Sequence, residues 1–342
     1  MPESVPPSAA PASAETSSAP TYPIEIQPPD ITPWRAGNTG TAYVHEFDSG
    51  QPGPTVMVQA LTHGNEYCGA MALDWLLRQN QRSRLAPRVG RLILAFANVA
   101  AYARFDFENP GASRCIDEDL NRVWADATLF GARDSIELRR ARELQPFVDR
   151  ADFLLDIHSM HEPCRPIMVC GMLEKHLELA RQVGLPADLL IDTGHPAGLR
   201  MRDRGGFNDP ASPRQALLIE CGQHWEAAAE GVARDTLLRF LAATGSVPFD
   251  AVAPHLSVAL PARQRVVRVT EPVVARSLDF HFLVPLESLG VVEKAGTPIA
   301  QDGDHVWRAP YDQTVLVMPS MQHLKPGNTQ VRLGRYDDAP GS

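Results

Sequence analysis

Short, almost continuously apolar runs recur along the first two thirds of the chain, at 55–61 (TVMVQAL), 91–98 (RLILAFAN), 152–158 (DFLLDIH), 189–192 and 215–220 (QALLIE). Bounded by polar residues, they suit strands buried on both faces of a parallel or mixed sheet. Amphipathic stretches lie between them. Asp134 and Glu137 have the spacing of a capping box and open a segment with Leu138, Ala141, Leu144 and Val148 at helical intervals. A second helix is predicted over 226–243, with Gly245 as its C-cap. The Gly- and Pro-rich stretch up to about residue 54 accommodates one or two early strands. Alternating strand and helix signals predict an α/β domain over 22–245.

The pattern then changes. Strand-like runs at 265–270, 279–283, 290–294, 306–309, 314–318 and 331–334 are punctuated by Gly296, Gly303, Pro310 and Pro326-Gly327. This spacing predicts a small all-β domain. The expected division is 1–21 as a disordered tail, 22–247 as the α/β domain and 248–342 as the β domain. The tail is Pro-, Ala- and Ser-rich without Lys or Arg, so it lacks the basic residues of a secretory or mitochondrial leader.

Composition narrows the function classes. At 342 residues the chain has 44% hydrophobic and 21% charged residues, ordinary globular values. With 32 Lys and Arg against 41 Asp and Glu, the formal charge is −9. No basic stripe marks a nucleic-acid binder, and no apolar run is long enough for a membrane span. Five cysteines at irregular spacing, without a CxxC pair, argue against a disulfide framework or a four-cysteine zinc site and favour the cytoplasm.

Four motifs could carry chemistry. His63-Gly64-Asn65-Glu66 follows the first apolar run, where a strand gives way to a helix; alone, it also fits a polar turn. His158 ends another buried run, and with His63 and Glu66 it completes a His₂Glu set, an accepted catalytic zinc shell. Asp156 would face the same side of that strand and could accept a histidine's second ring N–H. Glu220 ends QALLIE, where a carboxylate needs a partner or a use, and a glutamate beside zinc-activated water suits hydrolysis. The loop 114–122 (RCIDEDLNR) holds Arg114, Asn121 and Arg122, able to clamp a carboxylate or polarise a carbonyl, or simply to pair with the interleaved acids.

The order HGNE, R-x₄-DLNR, DIH and a strand ending in Glu-x-Gly resembles the succinylglutamate desuccinylase and aspartoacylase family, a branch of the zinc carboxypeptidase superfamily. The resemblance covers roughly residues 30–335. It implies a zinc-carboxypeptidase-like mixed sheet flanked by helices, followed by a barrel-sandwich-like β domain that closes over the site. It implies one zinc per chain, bound by His63, Glu66 and His158. Glu220 would be general base and acid, Arg114 would polarise the scissile carbonyl, Asn121 and Arg122 would hold the substrate carboxylate, and Asp119 would support the site.

The implied reaction is hydrolysis of a small N-acyl amino acid, of deacetylase or desuccinylase type, to a carboxylic acid and a free amino acid. A carboxypeptidase acting on short peptides and a non-catalytic zinc-binding protein are the alternatives. His161 is a further candidate for touching substrate, and Arg200, Arg202, Arg204 and Arg214 are candidates for recognising its side chain. Lys294 and Lys325 are not presented between methionines, so no covalent cofactor is expected. A homodimer is the default assembly.

Overall fold

The computed structural model describes residues 22–80, 85–322 and 324–337. The tail predicted over 1–21 lies outside the described residues. The apolar runs become the centre of a mixed sheet. Its first strands are β1 (Val44–Asp48), β2 (Thr55–Ala60), β3 (Arg91–Phe96), β4 (Phe153–Met160), β5 (Ile167–Val169), β6 (Asp188–Ile191) and β7 (Gln215–Gln223). β3, β2, β4 and β7 run parallel side by side; β1 adds antiparallel to β3 and β5 adds antiparallel to β7. These central strands are buried almost throughout, which is why their sequences show runs rather than alternation.

Helices cover both faces. α1 (Cys68–Asn80), α3 (Glu174–Val183) and α4 (Ala227–Ala243) share a core that includes Leu73, Leu77, Leu177 and Leu238. α2 (Ile136–Arg150) packs Leu138, Leu144 and Val148 with Trp124 on a second core. α1 approaches the sheet so closely that a Cβ on Gly69 would lie 2.8 Å from Ile157 Cγ2 and 2.9 Å from Ala60 Cβ.

Two details differ from the sequence expectation. α2 is capped by Ser135, whose Oγ accepts from Leu138 N at 3.0 Å, so Asp134 is not the cap. Glu137, the expected capping-box partner, is instead buried. It accepts from the backbone N–H groups of Ile116, Asp117 and Glu118 at 2.6, 3.0 and 3.3 Å and from Asn98 Nδ2 at 3.1 Å. A tertiary loop outcompetes the local cap for this carboxylate. The short strand β5 was not anticipated either; three residues are too few to establish a period.

The last hundred residues form β8 (Arg265–Val274), β9 (His281–Phe282), β10 (Val291–Val292), β11 (Pro298–Asp302), β12 (His305–Arg308), β13 (Thr314–Val317) and β14 (Thr329–Tyr336). All pair antiparallel among themselves, β9, β11 and β12 in a separate three-stranded sheet. The large sheet does not stop at the expected division. β8 pairs parallel to β6, and the order β1-β3-β2-β4-β7-β5-β6-β8-β14-β13-β10 is continuous. One core cluster also spans both regions, joining Ile167, Leu190 and Leu218 to Val267, Leu289, Val315 and Val317.

This continuity makes a prediction. A chain ending at residue 262 loses β8 and exposes the edge of β6, a template for intermolecular pairing. It is expected to aggregate, or to lose cooperative thermal unfolding. A truncated chain that stays soluble and unfolds at the full-length Tm would show that the β region contributes nothing to the stability of the rest.

Candidate active site

The site gathers at the carboxyl ends of β2, β4 and β7, where open α/β sheets bind ligands. Leu61 leaves β2 with φ +60°, a left-handed conformation unusual for a leucine, and its carbonyl accepts from Asn98 N at 2.7 Å. Gly64 follows in a gap that only glycine fits: a Cβ would meet Ser113 O at 2.3 Å and Tyr102 N at 2.5 Å. Gly64 N donates to Arg114 O at 3.1 Å, so the HGNE turn and the arginine loop are fastened together.

His63, Glu66 and His158 converge. Their ligand-type atoms all lie within 4.8 Å of one another, and all three residues are buried. Nδ1 of His63 is 2.7 Å from Glu66 Oε1, and Nδ1 of His158 is 2.8 Å from Glu66 Oε2. Each ring directs its other nitrogen to an aspartate. His63 Nε2 is 2.9 Å from Asp119 Oδ1. His158 Nε2 is 2.8 Å from Asp156 Oδ2, an ion-pair distance without hydrogen-bond alignment. Two imidazoles and a carboxylate facing inward, each ring backed by an acid, match the donor set and orientation of a zinc site, so the residues present fit that metal.

Burial works against the charge on Glu66, but His63 and His158 outweigh it and hold the carboxyl well below its usual range. Burial likewise opposes a charge on His158, and Asp156 and Glu66 overcome it, pushing the imidazole well above its usual range. A metal ion and protons therefore compete for this cluster.

Glu220 sits directly opposite His158 in the parallel β4–β7 register. It is pushed well above the usual carboxylate range by burial, despite the pull of His158, with the Glu66 charge adding to the rise and Arg114 opposing it. Its Oε2 is buried without a hydrogen-bond partner. Two carboxyls in one site are thus driven apart, Glu66 well below the usual carboxylate range and Glu220 well above it.

Arg114 donates to Glu66 Oε1 at 3.2 Å and to Asp119 Oδ2 at 3.0 Å. Asp119 also caps the short turn that follows, accepting from Asn121 N at 2.8 Å. Asn121 Oδ1 accepts from Met201 N at 3.0 Å, which leaves its NH₂ as the free end. Arg122 donates to Asn121 O at 2.8 Å and lies 3.8 Å from Asp119 Oδ2. His161 Nδ1 is 3.3 Å from Glu162 Oε1, and its ring edge meets Tyr22, whose hydroxyl also donates to Glu162.

All eight residues singled out for the site, including Asn121, Arg122 and His161, line one cavity of about 240 Å³. Of the four arginines considered for side-chain recognition, only Arg200 reaches it. Arg202 is spent on the carbonyls of Cys170 and Ala216 and on Asp203, Arg204 on Asp149, Asp126 and Trp124 O, and Arg214 on the carbonyls of Val148 and Ala151. Arg200 itself is held by both oxygens of Asp192 and by Asp203. The sequence reading missed other lining residues, among them His195, His224, Gln322 and Arg332. Those of the β region carry no local motif; only the approach of β13 and β14 brings them to the cavity.

Among the described residues no helix is long and apolar enough to cross a membrane. A search of curated proteins with the sequence returns no significant match. Solved structures do share the fold at low identity. The product-bound ectoine utilization protein EutE (DoeB) from Ruegeria pomeroyi superposes with TM-score 0.63 at 16% identity, covering 87% of this chain and 92% of that one. Succinylglutamate desuccinylase from Vibrio cholerae gives TM-score 0.63 at 19% identity, covering 87% and 88%. An aspartoacylase family protein from Mesorhizobium loti gives 0.58 at 16%, covering 85% and 88%. Residues 52–243, which carry every motif from HGNE to Glu220, match the succinylglutamate desuccinylase/aspartoacylase catalytic domain, and the chain belongs to that family.

Proposed function

We propose that the protein is a zinc-dependent hydrolase that cleaves the amide bond of a small N-acyl amino acid. Residues 22–247 would form the catalytic unit and 248–342 its cap. Family membership supports amide hydrolysis of N-acyl amino acids in general. The observation that carries the specific reading is the convergence of His63, Glu66 and His158 on one point, with the unpartnered carboxyl of Glu220 in the same cavity. The lining contributed by Met318, Ser320 and Gln322 from the β region bounds a space suited to a molecule of amino-acid size rather than to a polypeptide.

His63, Glu66 and His158 would hold one zinc per chain. Bound there, zinc supplies a Lewis acid that polarises the acyl carbonyl and lowers the pKa of water toward about 7. Glu220 accepts the proton of the attacking water and returns it to the leaving amine nitrogen as the C–N bond breaks, so the products are a carboxylic acid and a free amino acid. Arg114 donates to the acyl oxygen as negative charge develops on it. The Asn121 NH₂ and the Arg122 guanidinium hold the carboxylate of the amino acid and fix the amide relative to Glu220. Asp119 and Asp156 keep the two histidine rings turned inward.

Two outcomes are expected. Replacing Asp119 with Ala or Asp156 with Asn should weaken zinc binding about 10–100-fold, measured by competition with a chromogenic chelator; unchanged affinity would mean that the aspartates only pack against the rings. Amine release from a panel of N-acetyl and N-succinyl amino acids should be lost in Glu220→Gln with zinc content intact. It should fall about 10²–10³-fold in Arg114→Ala. Hydrolysis of short peptides with none of N-acyl amino acids would overturn the proposal.

A further inference from the structure

Part of the cavity wall is built from contacts that the His63-Glu66-His158 set does not use. His161 and Glu162 line it just beyond the end of β4. His161 Nδ1 is 3.3 Å from Glu162 Oε1, and the Tyr22 hydroxyl donates to Glu162 Oε2. Tyr22 belongs to a distant segment that is fastened where β7 passes into α4. Glu25 N donates to Trp225 O at 2.9 Å, and Ala227 N donates to Glu25 Oε2 at 2.8 Å. The His161 ring is also held edge-on by Tyr22 and Trp225, with centroids 5.2 and 6.1 Å away. Its backbone carbonyl accepts from Gln223 Nε2 at 3.1 Å.

Burial works against the charge on Glu162, but the hydrogen bonds from His161 and Tyr22 outweigh it and hold the carboxyl below its usual range. An ionised carboxylate only accepts, so the proton of a neutral His161 ring sits on Nδ1 and Nε2 keeps its lone pair. Among the described residues Nε2 has no hydrogen-bond partner.

Most other polar groups of the cavity donate or are already taken. Arg114, Arg122 and Arg200 offer only N–H groups, and Asn121 Oδ1 accepts from Met201 N. Both oxygens of Asp192 are bound by Arg200. His195 Nδ1 accepts from Ala197 N at 3.1 Å, which puts that ring's proton on Nε2. A molecule entering this cavity therefore finds donors readily and open acceptors rarely. An N-acyl derivative of any primary amino acid brings one N–H, that of the amide to be cleaved. Burying it without an acceptor is costly.

We infer that His161 Nε2 accepts a hydrogen bond from the amide N–H of the substrate, and that Glu162 and Tyr22 are positioning residues that hold the ring in the tautomer and direction this requires. This contact presupposes the deacylase reading above. As the carbonyl carbon becomes tetrahedral, the amide nitrogen gains a lone pair. An N–H fixed on His161 restrains rotation of that nitrogen and leaves the lone pair for the proton carried by Glu220.

The test compares the zinc-loaded protein's best N-acyl amino acid with its ester isostere, in which oxygen replaces the N–H. H161F should lower kcat/KM for the amide about 10–100-fold, and for the ester about tenfold less. Where the ester is not turned over, its inhibition constant takes the place of kcat/KM. Y22F should lower the amide value in the same selective way and add nothing in the H161F background. E162Q serves if H161F does not fold: the Tyr22 hydroxyl claims the amide oxygen, so the NH₂ faces Nδ1 and moves the ring proton to Nε2. Equal losses on amide and ester, or no loss, overturn the contact. A Y22F loss that persists in the H161F background overturns the positioning role. If wild type cleaves no N-acyl amino acid, it is the deacylase reading that fails, and the imidazole ¹⁵N shifts of His161 decide the rest. A bare Nε2 in wild type that becomes protonated in E162Q supports the positioning; the same tautomer in both proteins overturns it.

Discussion

The carboxylate of Glu66 is the point on which the site hangs. It is buried, and an isolated charge there would be expelled from the fold or neutralised. It stays ionised because donors from four directions meet it: His63 from its own turn, His158 and the Ser159 backbone from β4, and Arg114 from the following loop. The donors arrive on three segments, so satisfying one charge fixes the positions of all three. The same requirement explains Asp119 and Asp156, which hold the outer nitrogens of the two rings. Protons or a divalent cation can supply the positive charge at the centre, and the buried acids ensure that one of them does.

Around this centre the sheet acts as a ruler. Parallel pairing sets His158 level with Glu220, so β4 and β7 deliver these two side chains side by side. Glu220 pays for that position with desolvation and the nearby Glu66 charge, the same environment that lifts its pKa well above the usual carboxylate range. The sheet then runs on through β6 into β8, β14 and β13, which bring the second wall of the cavity. Both walls of the cavity are thereby mounted on one hydrogen-bonded surface, and the core cluster shared by Leu218, Val267 and Val317 ties the two regions together.

Much of the site was legible in sequence because its chemistry is local. HGNE places two inward-facing groups within one turn, and DIH places Asp156 and His158 on one side of a strand with period two. Glu137 was misread for the opposite reason: its spacing fits a cap, but its carboxylate serves the backbone of a loop about twenty residues away. The arginines of 199–214 misled similarly, since three of the four are structural and nothing in a run of charges tells a solvated or paired guanidinium from an open one.

What the sequence determined by itself was the alternation of buried strands and amphipathic helices, the change to strands without intervening helices after residue 262, and a His-Glu-His set that could hold a metal and whose members lie at or just after apolar runs. These follow from local periodicity and from the chemistry of side chains a few residues apart. The tertiary structure alone decided that the sheet is continuous across the two regions, and which charges find partners. It also brought Arg332 into the cavity that begins at His63, 269 residues earlier in the chain. Such relations depend on pairing between distant strands, whose register is set by burial over the whole sheet and leaves no mark in the residues beside them.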